Sequence, residues 1–173
     1  MRHSIQQINQ LDRAELLDLL SGVFDGAPWI AQKVVGKRPF RDREHLLRLM
    51  CDALRRAGAQ KQLDVLRAHP DFIGEVVTTA EIFAAPIKGE PDSGRVKLTP
   101  EDVRWFERYN RAYCEKYGFP FIFCTRAFKP PAIRRAILDE FEIRMCNEPD
   151  RETTTAIGEL GKIAEFRLRD RIS

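Results

Sequence analysis

The segment LTPEDVRWFERYNRAYCEKYG, residues 98–118, carries the clearest helix signals in this chain. Thr99 is a typical N-cap residue, Pro100 fits the first helical position, and Asp102 follows three residues after the cap. Gly118 is placed to end the helix. The pattern predicts an amphipathic helix, and the side chains expected to be buried are Val103, Phe106, Asn110, Tyr113 and Tyr117.

Similar amphipathic patterns recur along the chain and predict an all-α helical bundle. The apolar run at residues 119–125, FPFIFCT, finds no convincing partner strand, so we expect a buried extended segment or a short helix start. Proline and glycine are dense over residues 86–94, which predicts one long ordered loop. Further helices are predicted to start at Asp12, with Glu15 completing its cap, and at Asp150, which is the expected cap of the last helix. A third is expected to end at Gly58. The predicted ranges are 12 onward, within 26–40, 42–58, 59–69, around Val76 to Phe83, 131–146, and 150 to the C-terminus.

Length and composition favour one globular domain spanning residues 1–173. Hydrophobic residues make up 43% of the chain and charged residues 32%, and the net charge is only +3 with the two signs interleaved. This balance argues against a nucleic-acid partner. No apolar run is long enough to span a membrane, and the N-terminus lacks a secretion signal, so we expect a cytoplasmic protein. The four cysteines are scattered, which predicts reduced thiols and no metal site.

His69 stands directly before Pro70 in the sequence RAHPDFIGE. Proline disfavours helical geometry in the preceding residue, so the helix must stop near His69. The imidazole would lie at the negative end of the helix dipole with Asp71 close by, and we expect its protonated form to be favoured. Such an imidazole can serve as a general acid. Alternatively, His69 only closes the helix and Asp71 caps the next turn.

Two further features are candidates to act with His69. Arg167 lies beside the inward-facing stripe of the last helix, where a guanidinium can bind a carboxylate through two hydrogen bonds. Its alternative role is a solvated cation at a helix end. The run at residues 121–125 offers backbone amides and carbonyls in an apolar wall, which can hold a small polar ring. A plain core segment would have the same sequence.

Four stretches of the chain, APWIAQKV…RPF, LRAHPDFIG, LTPEDVRWFERYNRAYCEKYGFPFIFCTR and GELGKIAEFRLRDRI, together resemble the 2-oxo-4-hydroxy-4-carboxy-5-ureidoimidazoline (OHCU) decarboxylases of urate degradation. The resemblance extends from about residue 12 to the C-terminus, and HPD and KYGFPFI are its most specific pieces. It implies an all-helical, often dimeric enzyme that needs no metal or organic cofactor. The carboxylate to be lost is next to a C=N bond, which takes up the electrons, and the products are (S)-allantoin and CO2.

The resemblance also implies roles for individual residues. His69 would donate a proton, and Arg167 would hold an anionic group of the small-molecule substrate. The family usually has a Glu-Gln pair 20 and 21 residues after the histidine, where this chain has Gly89 and Glu90. Because glycine lets the backbone adjust, Glu90 is the candidate catalytic carboxylate. The implied substrate-binding residues are Pro70, Pro86, Ile87, Lys88, Gly89, Phe121, Ile122, Phe123, Cys124 and Thr125.

The departure at Gly89 leaves two alternatives to the family reaction. One is a divergent enzyme of the same scaffold that acts on another ureido or imidazole compound. The other is a non-catalytic helical binding module, which would need a contiguous basic surface for an acidic partner. The interleaved charges of this chain argue against such a surface.

Overall fold

The computed structural model describes residues 2–83 and 94–173, and these residues are predominantly helical, which confirms the predicted all-α class. The chain forms two compact units. The first comprises Met1–His69 and Leu160–Ser173, and the second comprises Pro70–Glu159. The expectation of a single domain stays a prediction. Among the described helices, none has the length and apolar character required to cross a bilayer.

The first unit is built from short helices around an aliphatic core. As predicted, Asp12 and Glu15 form a reciprocal cap in which each side chain accepts a hydrogen bond from the other residue's backbone N–H, at 2.8 and 3.1 Å. The core includes Leu16, Ile30 and Leu46, none of which is exposed. The helices are α1 (Ile5–Gln10), α2 (Arg13–Ser21), α3 (Pro28–Val35), α4 (Arg43–Arg55), α5 (Ala59–Ala68) and the C-terminal part of α9 (Pro149–Arg171).

Two of the predicted helix ends are wrong. Helix α4 ends at Arg55, and Gly58 is instead the N-cap of α5, with extended backbone angles of φ −62° and ψ 154°. Helix α9 begins at Pro149, so Asp150 lies within its first turn and is not its cap. Proline fits the first helical position, and a carboxylate in the first turn still interacts favourably with the helix dipole.

In the second unit, the long helix has the predicted boundaries. Thr99 and Asp102 form a reciprocal cap, and Gly118 ends the helix with a φ of +74°. Four of the five predicted inward-facing side chains are buried, and Val103 is half-buried. The helices of this unit are α6 (Phe72–Thr79), α7 (Pro100–Tyr117), α8 (Pro130–Met145) and the N-terminal part of α9.

A two-stranded antiparallel sheet replaces the end of the helix predicted around Val76 to Phe83. Helix α6 ends at Thr79, Ala80 has a φ of +53°, and β1 (Glu81–Phe83) then pairs with β2 (Arg95–Lys97). The fully buried Ile82 is opposite Val96. Strands of three residues are too short to produce a readable alternation of polar and apolar side chains. Of the predicted loop at 86–94, only Gly94 lies within the described residues.

Candidate active site

His69 closes helix α5, as the proline after it predicts. Its backbone leaves helical geometry, with φ −69° and ψ 135°, and its N–H donates to the Leu66 carbonyl at 3.4 Å. The side chain is buried, with only 9% of the residue exposed. The imidazole is therefore inside the first unit and not in open solvent.

The buried imidazole lies against a carboxylate that the sequence analysis did not identify, Asp25 in the connection between α2 and α3. His69 Nδ1 is 2.9 Å from Asp25 Oδ2, a contact with the distance of a hydrogen bond but without its direction. Arg167 Nη2 donates to the same oxygen at 2.8 Å, and Arg167 Nη1 donates to the Val23 carbonyl at 3.1 Å. The structure thus brings His69 and Arg167 together through Asp25, and we call this the His69–Asp25–Arg167 cluster.

Gly26 allows the connection that carries Asp25 to approach helix α5. Its φ is +62°, a region that glycine enters without strain. A Cβ atom at this position would be only 2.4 Å from the Cβ of Ala68, the residue before His69. Any larger residue would push the connection away from the end of α5. The sequence signal for this approach is the Asp-Gly pair at 25–26, which did not enter the sequence-based predictions.

The environment of His69 favours the neutral imidazole, which contradicts the expectation of a readily charged side chain. Burial lowers the pKa of His69, Asp25 raises it, and the positive charge of Arg167 lowers it again. The carboxylate of Asp71 is used elsewhere, because it accepts from the Gly74 N–H of α6 at 3.0 Å and from Asn110 Nδ2. The alternative in which Asp71 caps the next turn is therefore correct for that residue.

Arg167 is a half-buried ion-pair partner, so its alternative role as a solvated cation is wrong. Its side chain is 27% exposed, equal to that of Asp25. The carboxylate that it binds is the protein's own, through one nitrogen, while a second nitrogen holds a backbone carbonyl. An anionic ligand would therefore have to share this guanidinium with Asp25.

In the second unit, residues 121–125 form the predicted buried extended segment, and side chains hold its backbone in place. Residues 121–124 are buried, and Thr125 is half-buried and begins a single 3₁₀ turn. The Cys124 N–H donates to Glu159 Oε2 at 2.8 Å, and Arg144 Nη1 donates to the Ile122 carbonyl at 2.7 Å. The Phe121 ring stacks on Phe141 at a centroid distance of 3.8 Å.

Arg144 belongs to a buried polar network that the sequence analysis also missed. Arg144 is 1% exposed, and its Nη2 is 2.6 Å from Oε1 of Glu152, which has no exposed surface. The same carboxylate accepts from the Tyr113 hydroxyl and from Asn147 Nδ2. Burial raises the pKa of the Tyr113 phenol, so this hydroxyl stays a donor. The network fixes α7, α8 and α9 beside the extended segment.

Of the remaining predicted site residues, one is next to His69 and the others lie outside the described residues. Pro70 is exposed and directly follows His69. Within residues 2–83 and 94–173, no group of three histidine, cysteine or acidic side chains is arranged to hold a metal ion. The other predicted residues lie outside the described residues: Pro86, Ile87, Lys88, Gly89 and Glu90.

Comparison with known proteins gives one consistent family. Residues 9–169 match the family model described as OHCU decarboxylase. The chain is 34% identical over 170 residues to the 2-oxo-4-hydroxy-4-carboxy-5-ureidoimidazoline decarboxylase of Haloferax volcanii, covering 98% of this chain and 96% of that protein. The mouse protein of the same name is 30% identical, with coverage of 95% and 90%.

Two solved structures share the fold at lower sequence identity. A crystal structure of (S)-allantoin synthase superposes with a TM-score of 0.77 at 22% identity, covering 98% of this chain and 54% of that one. A crystal structure of an OHCU decarboxylase in the presence of (S)-allantoin gives a TM-score of 0.63 at 19% identity, covering 87% and 94%. At these identities the likeness establishes the fold alone.

Proposed function

This chain belongs to the OHCU decarboxylase family, and from that membership we propose that it decarboxylates OHCU to (S)-allantoin in urate degradation. The observation that carries this proposal is the match over nearly the full length of both this chain and the Haloferax volcanii enzyme. The chain is accordingly a carboxy-lyase.

The chemistry of the substrate limits what the protein must supply. When the bond to the carboxylate breaks, CO2 leaves and the bonding electrons pass to the adjacent C=N group. The planar carbon that carries the ureido group then takes a proton on one face and becomes the (S) centre, while the hydroxyl on the carbon that lost CO2 gives up its proton and becomes a carbonyl. The protein has to orient the carboxylate, stabilise the developing charge and deliver that proton.

We propose that His69 delivers the proton and that Arg167 binds an anionic group of the substrate. The burial of His69 and its placement beside Arg167 through Asp25 support this assignment. By resemblance, Pro70, the backbone of residues 121–125 and the residues from Pro86 to Glu90 contact the substrate. The anchoring of residues 122 and 124 by Arg144 and Glu159 supports a role for that segment as a rigid wall.

The test is a stereospecific activity assay with freshly made substrate. Urate is oxidised and hydrated in situ, and (S)-allantoin is followed by circular dichroism. The purified chain should form (S)-allantoin faster than the spontaneous reaction, which gives racemic product. A rate and an optical signal equal to those of buffer alone would contradict the proposed function.

We further propose that Glu90 replaces the family's catalytic glutamate one position late. Changing Glu90→Gln should lower the rate by about 10-fold or more, since a positioned acid or base contributes at least this much. The double change Gly89→Glu with Glu90→Gln restores the family's order and should recover activity. Glu75→Gln, on an exposed residue of α6, is the matched control.

The same variants distinguish the family reaction from the divergent enzyme that the departure at Gly89 suggests. If the unmodified chain is inactive and the double variant gains decarboxylation, the scaffold is intact and the natural substrate is a different one. If Glu90→Gln keeps the full rate in an active protein, Glu90 is not the catalytic carboxylate.

We also propose that the protein is a cytoplasmic homodimer. The support is the family resemblance, since these enzymes are often dimeric. Light scattering on the purified protein should give twice the chain mass of 20.0 kDa. A mass equal to one chain would contradict the dimer.

A further inference from the structure

The Asp25 carboxylate is the one feature of the His69–Asp25–Arg167 cluster to which the sequence analysis and the family resemblance assign no role. We propose that Asp25 is a positioning residue that orients the imidazole of His69 for proton delivery. This inference rests on the proposed function and adds a residue to it. It follows from the contacts that Asp25 makes in the first unit.

The contact with Asp25 determines which imidazole nitrogen is available to a substrate. His69 Nδ1 is 2.9 Å from Oδ2 of Asp25, so once the N–H aligns with this oxygen, a proton on Nδ1 bonds to the carboxylate and Nε2 is left for chemistry. A hydrogen bond at one ring nitrogen sets the tautomer and the ring orientation in this way. The N–H direction is off-axis here, and such contacts often align only when the substrate is bound.

The position of Asp25 is itself fixed from two sides. Arg167 holds both the Asp25 carboxylate and the Val23 carbonyl, at 2.8 and 3.1 Å. Gly26, the residue after Asp25, packs closely against Ala68, which directly precedes His69 in the chain. The carboxylate is therefore held by Arg167, and the backbone that carries it is held beside the end of α5.

The charges around His69 make Asp25 the group that favours the acid form. Within residues 2–83 and 94–173, the charged groups that act on the imidazole are Asp25, from the connection between α2 and α3, and Arg167, from α9. Burial and Arg167 both lower the pKa of His69, and among the described residues only Asp25 opposes them. Removing the negative charge should therefore reduce the protonated fraction further at any pH above the pKa.

The experiment combines a titration of His69 with a rate profile in the Asp25→Asn variant. The chain has only His3, His45 and His69, so the NMR signal of His69 can be identified by its loss in a His69→Gln variant. In Asp25→Asn the pKa of His69 should fall. The kcat for (S)-allantoin near pH 7 should drop by about 10-fold or more, and it should partly recover at lower pH.

Two further variants sharpen the result. Asp64→Asn is the matched control, because Asp64 is an exposed residue of α5, the helix that His69 closes. It should leave both the titration and the rate unchanged. Asp25→Glu keeps the charge but moves it by one methylene group, so the pKa of His69 should stay near that of the natural protein while kcat falls. If Asp25→Asn does not fold, the Asp25→Glu variant alone tests the positioning role of Asp25.

The outcomes separate this inference from the proposed function. An unchanged pKa of His69 in Asp25→Asn, or a loss of rate that is uniform across pH, would overturn the positioning role while leaving the decarboxylase activity intact. If the natural chain forms no (S)-allantoin, the proposed function fails, and the titration alone then tests whether Asp25 acts on His69. An unchanged kcat in Asp25→Glu would also overturn the role.

Discussion

Replacing His69 with glutamine lowers the rate of (S)-allantoin formation by about 100-fold or more, the usual contribution of a positioned general acid. Glutamine keeps a polar side chain of similar size beside Asp25 but cannot deliver an acidic proton. The natural protein should also lose kcat/KM as pH rises through the pKa of His69. Because that pKa lies below its ordinary value, the loss should begin on the acidic side of neutrality.

The control for this change is His3→Ala. His3 bonds to Arg171 and Ser173 through its backbone, and those bonds do not depend on the side chain. The rate of the His3→Ala variant should equal that of the natural protein, and the optical rotation of the product should stay the same. A His69→Gln variant with an undiminished rate would mean that another group delivers the proton.

Replacing Arg144 with methionine lowers the free energy of unfolding by about 3–5 kcal/mol, the range observed when one partner of a buried ion pair is removed. The Glu152 carboxylate, which has no exposed surface, then lacks its cation. The Ile122 carbonyl also loses its donor, which adds the cost of an unpaired polar group. Urea unfolding followed by circular dichroism measures the difference.

Arg135→Met on the same helix is the matched control, because Arg135 pairs with Asp139 at the surface. Its urea midpoint should match that of the natural protein. Adding Glu152→Gln to Arg144→Met removes the stranded charge and should recover part of the lost stability. If the Arg144→Met variant is as stable as the natural protein, the buried polar network around Arg144 does not stabilise the second unit as its geometry indicates.

Local sequence signals predicted the parts of the fold that depend on neighbouring residues. The start and end of α7 follow from Thr99, Pro100 and Gly118, which act within one turn of the helix ends. The end of α5 at His69 follows from the geometry that Pro70 imposes on the residue before it. The errors at Gly58 and Asp150 have a related cause, because glycine and aspartate suit more than one position near a helix end.

The pairing of charged residues could not be predicted, because it depends on contacts between distant parts of the chain. Asp25 is 44 residues before His69 and 142 before Arg167, and no periodicity connects them. Glu152 and Glu159 look like ordinary surface residues of a helix until the fold buries them against Arg144 and the Cys124 amide. The same folding that places His69 beside Arg167 also lowers the pKa of His69.

A single oxygen of Asp25 serves two basic side chains in the first unit. With the imidazole neutral, the carboxylate and the guanidinium cancel, and the three side chains carry no net charge. With the imidazole protonated, they carry one positive charge, so an anion binds that form more tightly. By reciprocity, the arrival of the anion draws a proton from water onto the ring. Ligand capture and proton uptake are then one coupled equilibrium, and the binding of an anion raises the fraction of His69 that is charged.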